Sequence, residues 1–247
     1  MDTGTSGLGA ATVLVLWDVD FTLINAGGSS TQLYGVVFRK LFGRQLAGVT
    51  AMAGRTDRAI VRQTLEQAGV SDPQEHVEAF LAELAAQAAG FRALVAERGQ
   101  VLPGAAAALA ALARLGPAHA VQSVLTGNIR PLAEAKLGAL GLTRHLDFDI
   151  GAYGDHDENR AELVHLARHH AARAYGQDFA GPATVLVGDT PLDIAAAKAT
   201  GARSVGVASG ASSAADLAAA GADAVLADLT DTAAVLAAIL GGRLTRR

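Results

Sequence analysis

Three short runs rich in apolar and β-branched residues limit what this chain can fold into: Thr12 to Trp17, Ala120 to Leu125 and Thr184 to Val187. Each stops abruptly, at Asp18, at Thr126 and at Gly188-Asp189. A strand with little polar alternation hides both faces, so it belongs inside a parallel sheet covered on either side. Weaker strands are expected at Phe148 to Ile150, Ser204 to Ala208 and Ala224 to Leu226. Between them lie Ala- and Leu-rich helical stretches at Ala105 to Leu115, Pro131 to Leu140, Arg160 to Tyr175, Pro191 to Thr200 and Asp216 to Ala220. Strands alternating with helices of this length make βαβ units with right-handed crossovers. The expected class is α/β, a three-layer Rossmann-like core around a parallel sheet.

One stretch departs from the alternation. Residues 27–98 carry helical patterns, at Ser30 to Phe42, Asp57 to Gln67 and Gln74 to Glu97, with no good strand among them. They read as a helical domain inserted after the first strand, with linkers at Gly27-Gly28 and Arg98 to Gly104. The core is then residues 12–26 and 99–247, and residues 1–11, rich in Gly, Thr and Ser, form a flexible tail. Two linkers between two domains suit a hinge.

Hydrophobic residues make up 51% of the 247, enough for a full core, which excludes a disordered polymer. A net charge of −4 with 4% aromatic residues argues against a nucleic-acid platform. The longest apolar stretches are too short for a membrane span, and no positive charge precedes them at the start as in a secretory signal. Cysteine is absent, which removes disulfides and thiolate metal sites and fits a cytoplasmic setting. No heptad or large exposed patch is legible to set an oligomeric state, and the expectation is a monomer or weak homodimer.

The chemistry gathers where the runs stop. Asp18 and Asp20 are two apart, so an extended chain points both to one side. At the carboxyl end of a parallel strand they occupy the place where open α/β sheets bind ligands. Two carboxylates so close repel unless a cation or shared proton intervenes, and a hard cation such as Mg²⁺ takes oxygen ligands. The plainer reading is that they cap a turn. Leu125-Thr126-Gly127-Asn128 offers a hydroxyl, backbone amides and a helix start as an anion cradle, or else ordinary N-capping. In Gly188-Asp189-Thr190-Pro191-Leu192-Asp193, Thr190 and Asp193 form a capping-box-like start, which leaves Asp189 without a structural duty.

Taken in order, Asp18-x-Asp20-x-Thr22-Leu23, Leu125-Thr126-Gly127-Asn128 and Gly188-Asp189-Thr190-Pro191-Leu192-Asp193 resemble motifs I, II and IV of the haloacid-dehalogenase-like hydrolases, from about residue 12 to 230. The helical insertion resembles that family's C1-type cap. Within the family the chain is most similar to phosphoglycolate phosphatase-like proteins. The resemblance implies a Mg²⁺-dependent phosphatase acting on a small phosphorylated metabolite. Asp18 would be the nucleophile and Asp20 the general acid–base. Thr126, Gly127 and Asn128, with Thr22, would hold the substrate. Mg²⁺ would be held by Asp18, by Asp20 through its backbone carbonyl, and by Asp189, with Asp193 behind or through water. The alternatives are a sugar-phosphate mutase of the same superfamily and a non-enzymatic binding protein on the same fold.

Two positions depart from the family pattern. Phe21 stands where most members carry Gly, which implies a shift in cap contact. The cation of motif III is not obvious: Arg160, at the start of the helix before motif IV, is the first candidate and Lys136 the rival. In the insertion, Gly54-Arg55-Thr56-Asp57 suits a loop reaching over an anionic substrate through Arg55 and Thr56, or else a helix cap with a surface arginine. Arg39, Lys40 and Arg44 read as a solvated face, as do His165, His169 and His170, which no carboxylate motif accompanies. Trp17 reads as core.

Overall fold

The computed structural model describes residues 12–241, and the tail expected over residues 1–11 lies outside them. In chain order the strands are β1 (Val13–Trp17), β2 (Ile24–Asn25), β3 (Gln100–Val101), β4 (Ala120–Val124), β5 (Thr184–Gly188), β6 (Arg203–Val207) and β7 (Ala224–Leu226). The helices are α1 (Ser29–Phe42), α2 (Asp57–Gln67), α3 (Pro73–Ala86), α4 (Ala88–Arg98), α5 (Ala105–Leu115), α6 (Arg130–Ala139), α7 (Arg160–Tyr175), α8 (Pro191–Ala199), α9 (Ala214–Ala220) and α10 (Thr232–Leu240).

Five strands form one parallel sheet in the order β4-β1-β5-β6-β7. The alternation of β1 divides its side chains between two buried faces. Val13, Val15 and Trp17 pack with Leu109 and Leu112 of α5 and Val235 and Ile239 of α10. Leu14 and Leu16 pack with Leu163 and Val164 of α7 and Ala196 and Ala197 of α8. Each such large side chain contributes about 1.5–3 kcal/mol by leaving water, so β1 is anchored on both sides. Trp17 keeps its indole satisfied by donating to Gln122 Oε1 at 3.2 Å.

The order also fixes where a ligand can sit. The chain leaves β1 for β4 on one side and reaches β5 on the other, so a switch of direction falls at β1, where open sheets leave a crevice. Register brings the strand ends level, with Trp17 opposite both Val124 and Val187. Asp18, Leu125-Thr126 and Gly188-Asp189 therefore leave the sheet side by side.

Helices α1 to α4 occupy the insertion, and the antiparallel pair β2–β3 is the neck through which both chain segments pass. The helix expected over Gln74 to Glu97 is broken at Gln87, with a bend of 61° between α3 and α4. The bend lets Phe80 and Leu84 on one side of it and Phe91 and Val95 on the other join a single apolar cluster. Phe148 to Ile150 is a 3₁₀ turn rather than a strand, capped by Asp147, whose Oδ1 accepts from Asp149 N at 3.1 Å. The edge of β4 is met instead by Ala152, bridged to Leu125. Helix α10 and the two-residue strands β2 and β3 were not expected from the sequence. No single helix among the described residues is long and apolar enough to cross a membrane.

Candidate active site

A cavity of about 170 Å³ lies at the carboxyl end of β1, between the sheet and the insertion. Asp18, Asp20, Asp189, Arg160 and Lys136 line its floor, with Thr126, Gly127 and Asn128 along one side. A wider groove of about 920 Å³ beside α6 contains none of these residues.

The two cations divide the two acids of β1 between them. Arg160 Nη2 lies 2.7 Å from Asp18 Oδ1 and 2.6 Å from Asp193 Oδ1. Lys136, on the inward face of α6, gives its ammonium to Asp20 Oδ1 and Oδ2 at 2.8 and 2.6 Å, and to Asn128 Oδ1 at 2.6 Å. Arg160 is thus the cation beside Asp18, and Lys136 the cation beside Asp20. Asn128 Nδ2 also donates to Asp20 Oδ2 at 2.7 Å, so that carboxylate is fixed from two directions. Thr126 Oγ1 accepts from Asn128 N and Nδ2, which leaves its own O–H to donate into the cavity.

Asp18, Asp189 and Asp193 bring carboxylate oxygens within 4.8 Å of one another and form the metal-compatible cluster found among the described residues. Burial pushes Asp18 well above the usual carboxylate range, and Asp193 and Asp189 push it further, against the opposing pull of Arg160. Burial and Asp193 likewise push Asp189 up to about 7. Burial disfavours the Arg160 cation, but Asp193 and Asp18 outweigh it and drive its pKa upward. One guanidinium against three buried carboxylates leaves the cluster short of positive charge. An all-oxygen donor set of this kind fits a hard divalent cation. Arg160 Nε is buried without a partner, so the guanidinium has donor capacity beyond the two acids.

Close backbone approach shapes the rest. A Cβ on Gly210, in the loop after β6, would fall 1.8 Å from Asp189 Oδ2, so a side chain there would displace that carboxylate. Asp193 is committed on both oxygens: Oδ2 accepts from Thr190 N and Oγ1 at 3.1 and 2.7 Å, and Oδ1 meets Arg160. Asp193 is not among the residues that line the cavity. The Asp20 carboxylate, held by Lys136 and Asn128, stands apart from the acidic cluster.

Three residues expected at the substrate, Thr22, Thr56 and Arg55, have their polar groups engaged with protein partners. Thr22 is buried and its Oγ1 donates to Asp189 Oδ1 at 3.4 Å. Thr56 Oγ1 caps α2 by accepting from Ala59 N at 3.3 Å. Arg55 borders the cavity but turns its guanidinium back, Nη1 to Ala51 O and Gln63 Oε1 and Nη2 to Ala59 O. His165 and His169 are exposed, and His170 Nδ1 meets Gly151 O at 3.1 Å, apart from any cluster.

The seat of the insertion on the core was not read from the sequence. Asp57, which the sequence left as one option for a helix cap, is buried. It accepts from Tyr34 Oη at 2.6 Å and from Ile129 N at 2.8 Å, while its own N–H donates to Gly127 O at 2.6 Å. Cβ atoms on Gly127 and Gly154 would fall 1.9 Å from Arg55 O and 1.7 Å from Gly127 O, so three backbone segments stack in direct contact.

The family model described as haloacid dehalogenase-like hydrolase matches residues 15–198, and the chain belongs to that family. Among solved structures, a predicted phosphatase from Clostridium acetobutylicum is 18% identical, covers 92% of this chain and 99% of its own, and superposes with a TM-score of 0.65. A predicted phosphoglycolate phosphatase from Haemophilus somnus is 16% identical, with 93% and 99% covered and a TM-score of 0.61. A putative beta-phosphoglucomutase from Bacteroides vulgatus is 15% identical, with 97% and 93% covered and a TM-score of 0.61. No curated protein matches the sequence. At these identities the likeness establishes the shared fold.

Proposed function

We propose that the protein is a Mg²⁺-dependent phosphatase that hydrolyses a small phosphate monoester through an aspartyl-phosphate. The observation that carries this reading is the separation of the two acids of β1: Asp18 on Arg160 among the acidic cluster, Asp20 on Lys136 and Asn128. One acid is placed to attack and the other to move a proton. An Asp18 oxygen attacks phosphorus as the bond from phosphorus to the ester oxygen breaks, and Asp20 delivers its proton to the departing alcohol. Water then attacks phosphorus, Asp20 takes a proton from it, and the bond to Asp18 breaks to release phosphate. Thr126 Oγ1 and the amides of the same loop donate to the phosphoryl oxygens. Asp18 and Asp189 would hold Mg²⁺, which supplies charge neutralisation between two anions, the nucleophile and the phosphate.

The test is phosphate release from a panel of monoesters, phosphoglycolate and hexose phosphates among them, with Mg²⁺ and with chelator. Release that requires the cation supports the reading. Isomerised sugar phosphate without net release would instead establish a mutase.

Cation binding has a signature without turnover. Asp189 rises from an ordinary 3.8 to about 7 on folding, so the folded chain holds a proton that the unfolded chain has lost. This group's contribution to stability is full below about pH 4 and is lost as pH rises toward 7. A cation competes with that proton. Calorimetric melting should show Mg²⁺ raising Tm more at pH 8 than at pH 5.5. An equal rise at both would place the cation elsewhere.

A further inference from the structure

Phe21 stands out in the cavity wall. Its φ is +60°, a left-handed conformation that glycine adopts freely and a bulky aromatic residue does not. The conformation is fixed on both sides, since Phe21 N donates to Ile24 O at 2.7 Å and Phe21 O accepts from Ser209 Oγ at 2.6 Å. Burial does not offset the strain: the residue is 42% exposed. A strained backbone with an exposed ring, one residue from Asp20 and lining the same cavity as Asp18, points to function rather than packing.

The remainder of that cavity indicates what the ring meets. The insertion lines it with Ser30, Thr31, Met52, Ala53 and Ile60, none of them charged. Arg55, the one cation that the insertion adds to the lining among the described residues, has both terminal nitrogens turned onto protein oxygens. Asp57 is held by Tyr34 and Ile129. A second anionic group on the substrate would find no open cationic donor on this side, whereas an apolar one finds Phe21 and Met52.

We propose that Phe21 is a specificity-determining residue whose ring forms one wall for an uncharged, apolar organic group on the phosphate ester. The inference rests on the phosphatase reading for the word ester, but the recognition it describes is binding and can be measured without turnover. Titration calorimetry in Mg²⁺ would compare phenylphosphonate with 3-phosphonopropionate, which carries a carboxylate in place of the ring. The expected result is at least tenfold tighter binding of phenylphosphonate, the scale of one apolar subsite. Phe21→Asn keeps a residue that tolerates the left-handed conformation and should erase most of that preference, and Phe21→Tyr should keep it. Equal binding of the two, preference for the carboxylate, no binding of either, or a preference that survives Phe21→Asn would overturn the proposal. Phosphate release from phenyl phosphate, followed in parallel, separates the two claims. A binding preference without release overturns the phosphatase reading alone, and release without the preference overturns this inference alone.

Discussion

Asp18→Asn is expected to abolish phosphate release, by on the order of 10⁴-fold or more, while leaving the fold in place. The substitution removes the attacking oxygen's charge at constant shape. It also removes one of three buried carboxylates that repel one another, a group that burial already holds far from its usual pKa. Arg160 keeps Asp193 as a partner at 2.6 Å. Melting temperature should therefore hold or rise as activity disappears. Residual turnover above about one per cent would mean that the attack on phosphorus comes from elsewhere.

Arg160→Ala should cost both stability and turnover. The guanidinium is 7% exposed and neutralises Asp18 and Asp193 at once. Removing one partner of a buried ion pair leaves uncompensated charge and costs about 3–5 kcal/mol. Loss of a cation from the phosphoryl site lowers kcat by roughly 10²–10³, and the loss should be similar for every ester. Lys136→Met behaves differently. It retains length and burial but leaves Asp20 with Asn128 alone. With Asp20 in its proposed role at the leaving oxygen, the loss should be greatest for esters of poorly leaving alcohols and small for acetyl phosphate. Steady-state kinetics on the two esters with both variants decides between these roles. Identical substrate profiles would remove the distinction between the cations.

The sheet was legible because burial on two faces leaves little freedom in composition: a strand such as Val13–Trp17 has to be apolar throughout. Phe148 to Ile150 sets two apolar residues around Asp149 and is a turn, since Asp147 captures the amide two residues on. The choice between Arg160 and Lys136 was visible but unresolved. Linear spacing does not say which way a helix faces, and only the rotation of α6 delivers Lys136 to Asp20 rather than Asp18. The role of Asp57 left no local signal, because Ile129, whose amide it accepts, lies 72 residues along the chain. Nothing in the sequence shows that Gly127 and Gly154 admit a neighbouring backbone, or that Gly210 makes room for the Asp189 carboxylate.

The loop proposed to hold the phosphoryl group, Thr126 and Gly127, is also the surface on which helices α1 and α2 rest, through Gly127 O and Ile129 N. Any movement of those helices against the sheet and the proposed anion binding would therefore draw on one short piece of backbone. Such coupling is reciprocal: whatever factor closure adds to affinity for the phosphoryl group, occupancy by that group adds to the population of closed molecules. Substitutions at Asp57 or Tyr34, which hold the contact with Ile129 N, would then register as changes in phosphate affinity.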